Sequence, residues 1–207
     1  ASIYNISAMS FGAVSTNAPI FRLNFTITAA LAILLLGETL SLNKVAALTA
    51  ALVAVWLILA ERGAAKVRPS IASLTRVLVA TVAMGLANLF YKVGLQHGAL
   101  PETMVSAQAW VFCSLATVFN WWPQRRISIP AGAWPYSSLV ALVQAVSFLL
   151  LLHGLMLGAA SVLVPVAQMG FVLTSLAGVV WFKETLTVRK RIGLLFGVAA
   201  LALFAVS

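Results

Sequence analysis

"LLGETLSLNK" at residues 35–44 and "WFKETLTVRK" at residues 181–190 write nearly the same sentence twice, 146 residues apart. Laying residues 12–61 over 158–207 at that offset needs no gap. Gly12 then meets Gly158, Ser15 meets Ser161, Pro19 meets Pro165, Phe25 meets Phe171 and Thr28 meets Thr174. Glu38-Thr39-Leu40 meets Glu184-Thr185-Leu186, Lys44 meets Lys190, and Leu48 meets Leu194. Apolar helices resemble one another by composition, but matched Pro, Glu and Lys at one fixed offset are hard to obtain by chance. The chain contains an internal repeat.

The surroundings of the two copies say where they sit. Hydrophobic residues make up 62% of the chain and charged residues 8%, where a soluble domain carries roughly a quarter charged. That surplus of apolar surface must face lipid, so the fold class is an all-α integral membrane protein. The net charge of +9 comes from 13 Lys and Arg against four Glu. The basic residues lie in short connections between apolar runs, the pattern that orients a multi-pass protein and not one that binds nucleic acid. A single cysteine, Cys113, leaves no intrachain disulfide and no cysteine metal site. The sequons Asn5-Ile6-Ser7 and Asn24-Phe25-Thr26 fall in apolar segments and read as no glycosylation sites.

Apolar runs long enough to span predict helices near 13–37, 44–60, 74–94, 101–121, 135–157, 159–182 and 190–206. Residues 1–10 read as the tail of a helix that begins before Ala1. Residues 62–73 are basic and rich in small residues, and read as a linker between a first repeat, 1–61, and a second, 74–207. Pro101 stands where a helix would begin, a position that tolerates a missing N–H. The side that receives Arg62, Lys66, Arg68, Arg125, Arg126, Lys183, Arg189, Lys190 and Arg191 is expected to be cytoplasmic, leaving the C-terminus outside. Trp121, Trp122, Trp134 and Trp181 cluster at the same boundary.

Five predicted spans separate Glu38 from Glu184, and an odd number turns the second copy upside down relative to the first. Inverted repeats are characteristic of transporters, with the substrate near the midplane at the repeat interface. Ser41 and Thr187 are expected to cap the following helices. Glu38 and Glu184 stand near the positive ends of those helices, within reach of Lys44 and Lys190. Pro19, Glu38, Lys44, Pro165, Glu184 and Lys190 thus form a gating or structural motif. Gly193 and Gly197 make a GxxxG face whose counterpart, Ala47 and Ala51, is also small, as close helix packing in lipid requires.

The order of small residues, Pro, a long apolar stretch, Glu-Thr-Leu-Ser/Thr-x-x-Lys and a small-residue-rich last helix resembles the EamA repeat of the drug/metabolite transporter superfamily. Residues 164–206, "VPVAQMGFVLTSLAGVVWFKETLTVRKRIGLLFGVAALALFAV", carry the resemblance most fully. It implies ten helices in two inverted five-helix halves, with the opening helices of the first half missing here. It further implies a multi-pass protein of a bacterial inner membrane that exports an amino acid or similar metabolite by alternating access.

Polar groups inside spans are costly and mark sites. Arg22 lies three residues after Pro19, and its repeat counterpart is Gln168, three after Pro165. A cavity-facing Arg22 would bind a carboxylate or phosphate; an Arg22 near a helix start would instead reach to the headgroups. Asn88, Tyr91, Gln108, Trp110, Gln144 and His153 are the other candidate substrate-binding residues, each alternatively a helix-packing group. No acid lies mid-span, so uniport is expected, unless coupling resides in helices outside this chain or at His153. No catalytic, metal or cofactor site is read. The expected partners are a small-molecule substrate and the lipid bilayer, with a monomeric or homodimeric chain. A flippase or carrier of lipid-linked or drug-like substrates and a non-transporting assembly subunit are the alternatives. A membrane enzyme would need a clustered nucleophile, base or metal site, which one Cys, two distant His and no Asp do not supply.

Overall fold

The computed structural model describes residues 20–59, 71–121, 132, 134–182 and 187–207, with no strand among them. Eight helices are described: α1 (Asn24–Leu36), α2 (Leu42–Leu59), α3 (Ile71–Gln96), α4 (Pro101–Trp121), α5 (Trp134–Leu157), α6 (Ala160–Gln168), α7 (Gly170–Phe182) and α8 (Val188–Ala205). Ile71–Gln96, Trp134–Leu157 and the joined span Ala160–Ala177 are long and apolar enough to cross a membrane. Ile20–Leu36 and Leu42–Ile58 are shorter apolar helices. Large side chains such as Leu34, Trp56, Leu139 and Leu150 point outward, which a bilayer tolerates and water does not. The protein is an all-α, multi-pass integral membrane protein.

The chain divides into two compact units, Ala1–Phe90 with Gly158–Ser207, and Tyr91–Leu157. In the first, helices related by the 146-residue offset pack on each other: α2 against α8, the most extensive pairing, and α1 against α6. Both pairs are antiparallel. Asn43 Nδ2, at the start of α2, donates to Val206 O beyond the end of α8 at 3.5 Å. Its counterpart Arg189, at the start of α8, donates from Nη2 to Trp56 O near the end of α2 at 3.0 Å. Antiparallel pairing of repeat counterparts is the inverted arrangement that the odd number of crossings predicts.

Small residues set how closely these helices approach. A Cβ on Gly193 would stand 2.7 Å from Ile58 Cγ1 and 2.9 Å from Leu57 Cβ, so α8 and α2 touch nearly backbone to backbone. Ala47 and Ala51, the counterparts of Gly193 and Gly197, are fully buried. The expected caps also form: Lys44 N donates to Ser41 Oγ at 3.2 Å, and Lys190 N to Thr187 Oγ1 at 3.4 Å.

Two expectations are corrected. The apolar run 159–182 is not one helix: it breaks at Met169 (φ −81°, ψ 8°) into α6 and α7. The same break occurs in the first repeat at Leu23 (φ −62°, ψ −7°), the residue 146 positions earlier. The bonding at the two breaks matches. Leu23 N donates to Ile20 O at 3.1 Å and Met169 N to Val166 O at 3.1 Å; Thr26 N donates to Leu23 O at 3.0 Å and Val172 N to Met169 O at 2.9 Å. Pro165 has no N–H for the carbonyl of Ser161 and so weakens the ladder just before the break. The residue after each break, Asn24 or Gly170, is a poor helix former suited to restarting a helix. Pro19 lies outside the described residues.

The second correction concerns Glu38 and Lys44. Lys44 is buried, and its Nζ donates to Thr39 O at 2.9 Å, not to the Glu38 carboxylate. Glu38 instead accepts from Ala160 N at 2.7 Å and Ser161 N at 2.9 Å, capping α6 from the other repeat. Free N–H groups at a helix start carry partial positive charge and take both carboxylate oxygens at once. Ala159, at the N-cap of α6, has no side chain that could serve. Glu184 lies outside the described residues.

Candidate substrate site

The two helix breaks bring Arg22 and Gln168 together. Arg22 Nη1 donates to Gln168 Oε1 at 2.8 Å and to Gln168 O at 3.3 Å. These residues are repeat counterparts, and a residue that touches its own counterpart lies on the local two-fold axis relating them. The pair therefore sits where the inverted repeats meet in this unit. Arg22 is half-buried, and both of its acceptors are neutral. Among the described residues its Nε and Nη2 make no hydrogen bond. A guanidinium has five donors in a planar fork, so the group keeps the capacity to hold a carboxylate or phosphate.

A buried polar network lies on the neighbouring face. Thr28 Oγ1 donates toward Asn24 O at 3.0 Å and Gly85 O at 3.2 Å, and accepts from Asn88 Nδ2 at 3.3 Å. Gly85 permits it: a Cβ there would stand 2.7 Å from Ile27 Cγ2. Asn24 Nδ2 donates to Phe21 O at 2.7 Å, a carbonyl beside the break. Asn88 thus joins α3 to α1, and among the described residues no hydrogen bond links it to Arg22. Beside the same break a cavity of about 370 Å³ is lined by Ile20, Leu23, Thr26, Leu52 and Thr81, among others. The Thr26 hydroxyl is buried and has no hydrogen-bond partner among the described residues.

The remaining candidates belong to the second unit. Tyr91 Oη donates to Gln108 Oε1 at 3.0 Å, and its ring stands edge-on to Phe148 with centroids 5.1 Å apart. Both line a cavity of about 410 Å³ with Met104 and Phe112. His153 Nε2 lies 3.4 Å from Glu102 Oε1, while its Nδ1 faces Leu149 O at 3.0 Å. Trp110 is 74% exposed and Gln144 is exposed, so neither is part of these clusters. Lys92, buried, donates to Leu155 O in the last turn of α5, where a cation is favoured.

The sequence flags Arg22 and Gln168 as counterparts but gives no sign that they touch. It carries no sign of Glu38 at α6 either, since that bond closes a separation of 122 residues. The Asn24 and Gly170 that restart the helices are the signal that could have located the breaks.

The profile of the EamA-like transporter family matches residues 72–206. A solved structure described only as a crystal structure of a protein is similar to this chain, with a TM-score of 0.77 and 18% identity, covering 98% of this chain and 72% of that one. At that identity the likeness is one of fold. No curated protein matches.

Proposed function

Because the chain belongs to the EamA-like transporter family, whose members are membrane transporters of the drug/metabolite type, we propose that it carries a small metabolite with an anionic group. An amino acid or a related compound exported across a bacterial inner membrane fits this reading. The observation that carries it is the half-buried Arg22 guanidinium, which among the described residues donates only to the neutral oxygens of Gln168. A cation removed from water without a counter-charge is costly, and an anionic substrate on its unused donors would supply that charge.

The inverted repeat supports a reading of alternating access. Two halves related by an inverted two-fold can exchange conformations, so that a site on the axis opens first to one side and then to the other. Arg22 and Gln168 stay at the pivot in both states. Gln168 orients the guanidinium through Nη1, and the substrate takes the remaining donors. Asn88 holds α3 against α1 beside this site. Transport is proposed to be uniport, because the described carboxylates, Glu38 and Glu102, lie beyond the end of α1 and in the first turn of α4. A carrier of lipid-linked or drug-like compounds is the second reading, favoured by the apolar cavity at the Leu23 break.

The test is flux of labelled amino acids in proteoliposomes, with and without a pH gradient, comparing the full chain with Arg22→Gln. Flux that ignores the gradient and falls sharply in the variant supports the proposal. Undiminished flux in Arg22→Gln would refute the role of Arg22, and flux that follows the gradient would refute uniport.

A further inference from the structure

Helix α6 carries no charged residue of its own in "ASVLVPVAQ", yet both of its poles are held by charges. At its start the two Glu38 oxygens accept from Ala160 N and Ser161 N at 2.7 and 2.9 Å. At its end Arg22 Nη1 donates to the Gln168 carbonyl at 3.3 Å and to its side chain at 2.8 Å. An anion at the N-terminus and a cation at the C-terminus are the signs the helix macrodipole favours. Both charges come from the two ends of one span of the other repeat: Arg22 precedes α1, and Glu38 follows its last turn at Gly37. The antiparallel pairing of α1 with α6 makes this double hold possible.

Nine residues make a rod roughly 13 Å long. A rod tied at both ends has a fixed position; tied at one end, it can pivot. The end released from Glu38 is opposite the one that carries Gln168, so loosening the first displaces the second. Arg22 would then lose the acceptor that fixes the plane of its guanidinium.

We infer that Glu38 is a positioning residue for the Arg22–Gln168 site, acting through α6. This rests on the reading of Arg22 as the ligand of the substrate's anionic group. Its effect falls on substrate affinity and depends on Arg22, which a general support of the fold would not do. Glu38→Gln keeps the shape of the side chain but loses the charge and one of the two acceptors.

Two measurements on the full chain test it. In a Cys113→Ser background, Met169→Cys places a thiol at the buried hinge beyond α6. Maleimide labelling of that thiol is expected to rise severalfold on adding Glu38→Gln and to stay unchanged on adding Thr187→Ala, which removes the cap of α8. Equal labelling with and without Glu38→Gln overturns the inference. Flux of radiolabelled glutamate and leucine gives the second readout. Glu38→Gln is expected to raise KM about tenfold, the scale of a lost charge-assisted hydrogen bond, with the maximal rate largely kept. The double variant with Arg22→Gln should be no worse than Arg22→Gln alone. Losses that simply multiply would overturn the inference. If the unmodified protein moves neither compound, the transport reading has failed for these substrates, and the labelling experiment still decides the role of Glu38.

Discussion

Gly193→Ala tests the closest helix contact of the inverted repeat. The new Cβ would stand 2.7 Å from Ile58 Cγ1, 2.9 Å from Leu57 Cβ and 3.3 Å from Ile58 N. Carbon atoms pack at about 3.5–4.0 Å, so the shortfall is close to 1 Å. Ile58 Cγ1 can turn aside, but Leu57 Cβ and Ile58 N are fixed to the backbone of α2. The helices must therefore separate along their whole pairing, and an overpacked contact of this kind costs about 1–3 kcal/mol. Gly170→Ala is the matched control, because nothing lies within 4 Å of its added methyl. There the alanine should be neutral or stabilise by up to about 1 kcal/mol. Unfolding by denaturant in one detergent, followed by loss of helical signal, compares the two. Equal stability of the two variants would refute the claim that α2 and α8 meet backbone to backbone.

Other predictions follow from the same contacts. Thr28→Val leaves Asn88 Nδ2 without its acceptor and should cost about 0.6 kcal/mol, the average for hydrogen bonds between membrane helices, and at most about 1.7 kcal/mol, in the same unfolding assay. Ser41→Ala and Thr187→Ala each remove a helix cap and should each cost about 1 kcal/mol, with similar values because the sites are counterparts; a large difference would argue against structural equivalence. Trp110→Ala, on an outward-facing position, should leave amino-acid flux within about twofold of the original, since surface changes away from a site are usually within ±0.5 kcal/mol.

The parts of this architecture legible in the sequence are those written locally. Apolar length gives the helices, hydroxyls at Ser41 and Thr187 give the caps, and the Pro-Glu-Lys spacing gives the repeat. Its inversion follows from counting crossings. What the sequence does not write is which end of which helix a charge will meet. Glu38 and Lys44 are six residues apart and of opposite sign, so a local ion pair is the obvious reading. The uncapped start of α6 wins the carboxylate because it offers two N–H groups where Lys44 offers one flexible amine, which turns to the Thr39 carbonyl. The breaks at Leu23 and Met169 are less hidden, since Arg22 and Asn24 flank the first and Gln168 and Gly170 the second within otherwise apolar runs. Arg22 and Gln168 are recognisable as counterparts at once, but contact between counterparts depends on where the two-fold axis passes, a property of the packed helices alone.

The central claim is that Arg22 recognises an anionic group, and the most direct measurement pairs a labelled amino acid with its carboxamide. The amide has the same size and lacks the charge. In proteoliposomes the unmodified protein should favour the acid by about 10- to 100-fold in flux at low concentration, the scale of a charge-assisted hydrogen bond. Arg22→Gln should abolish that preference. Equal transport of acid and amide by the unmodified protein, or a preference that survives in Arg22→Gln, would contradict the account.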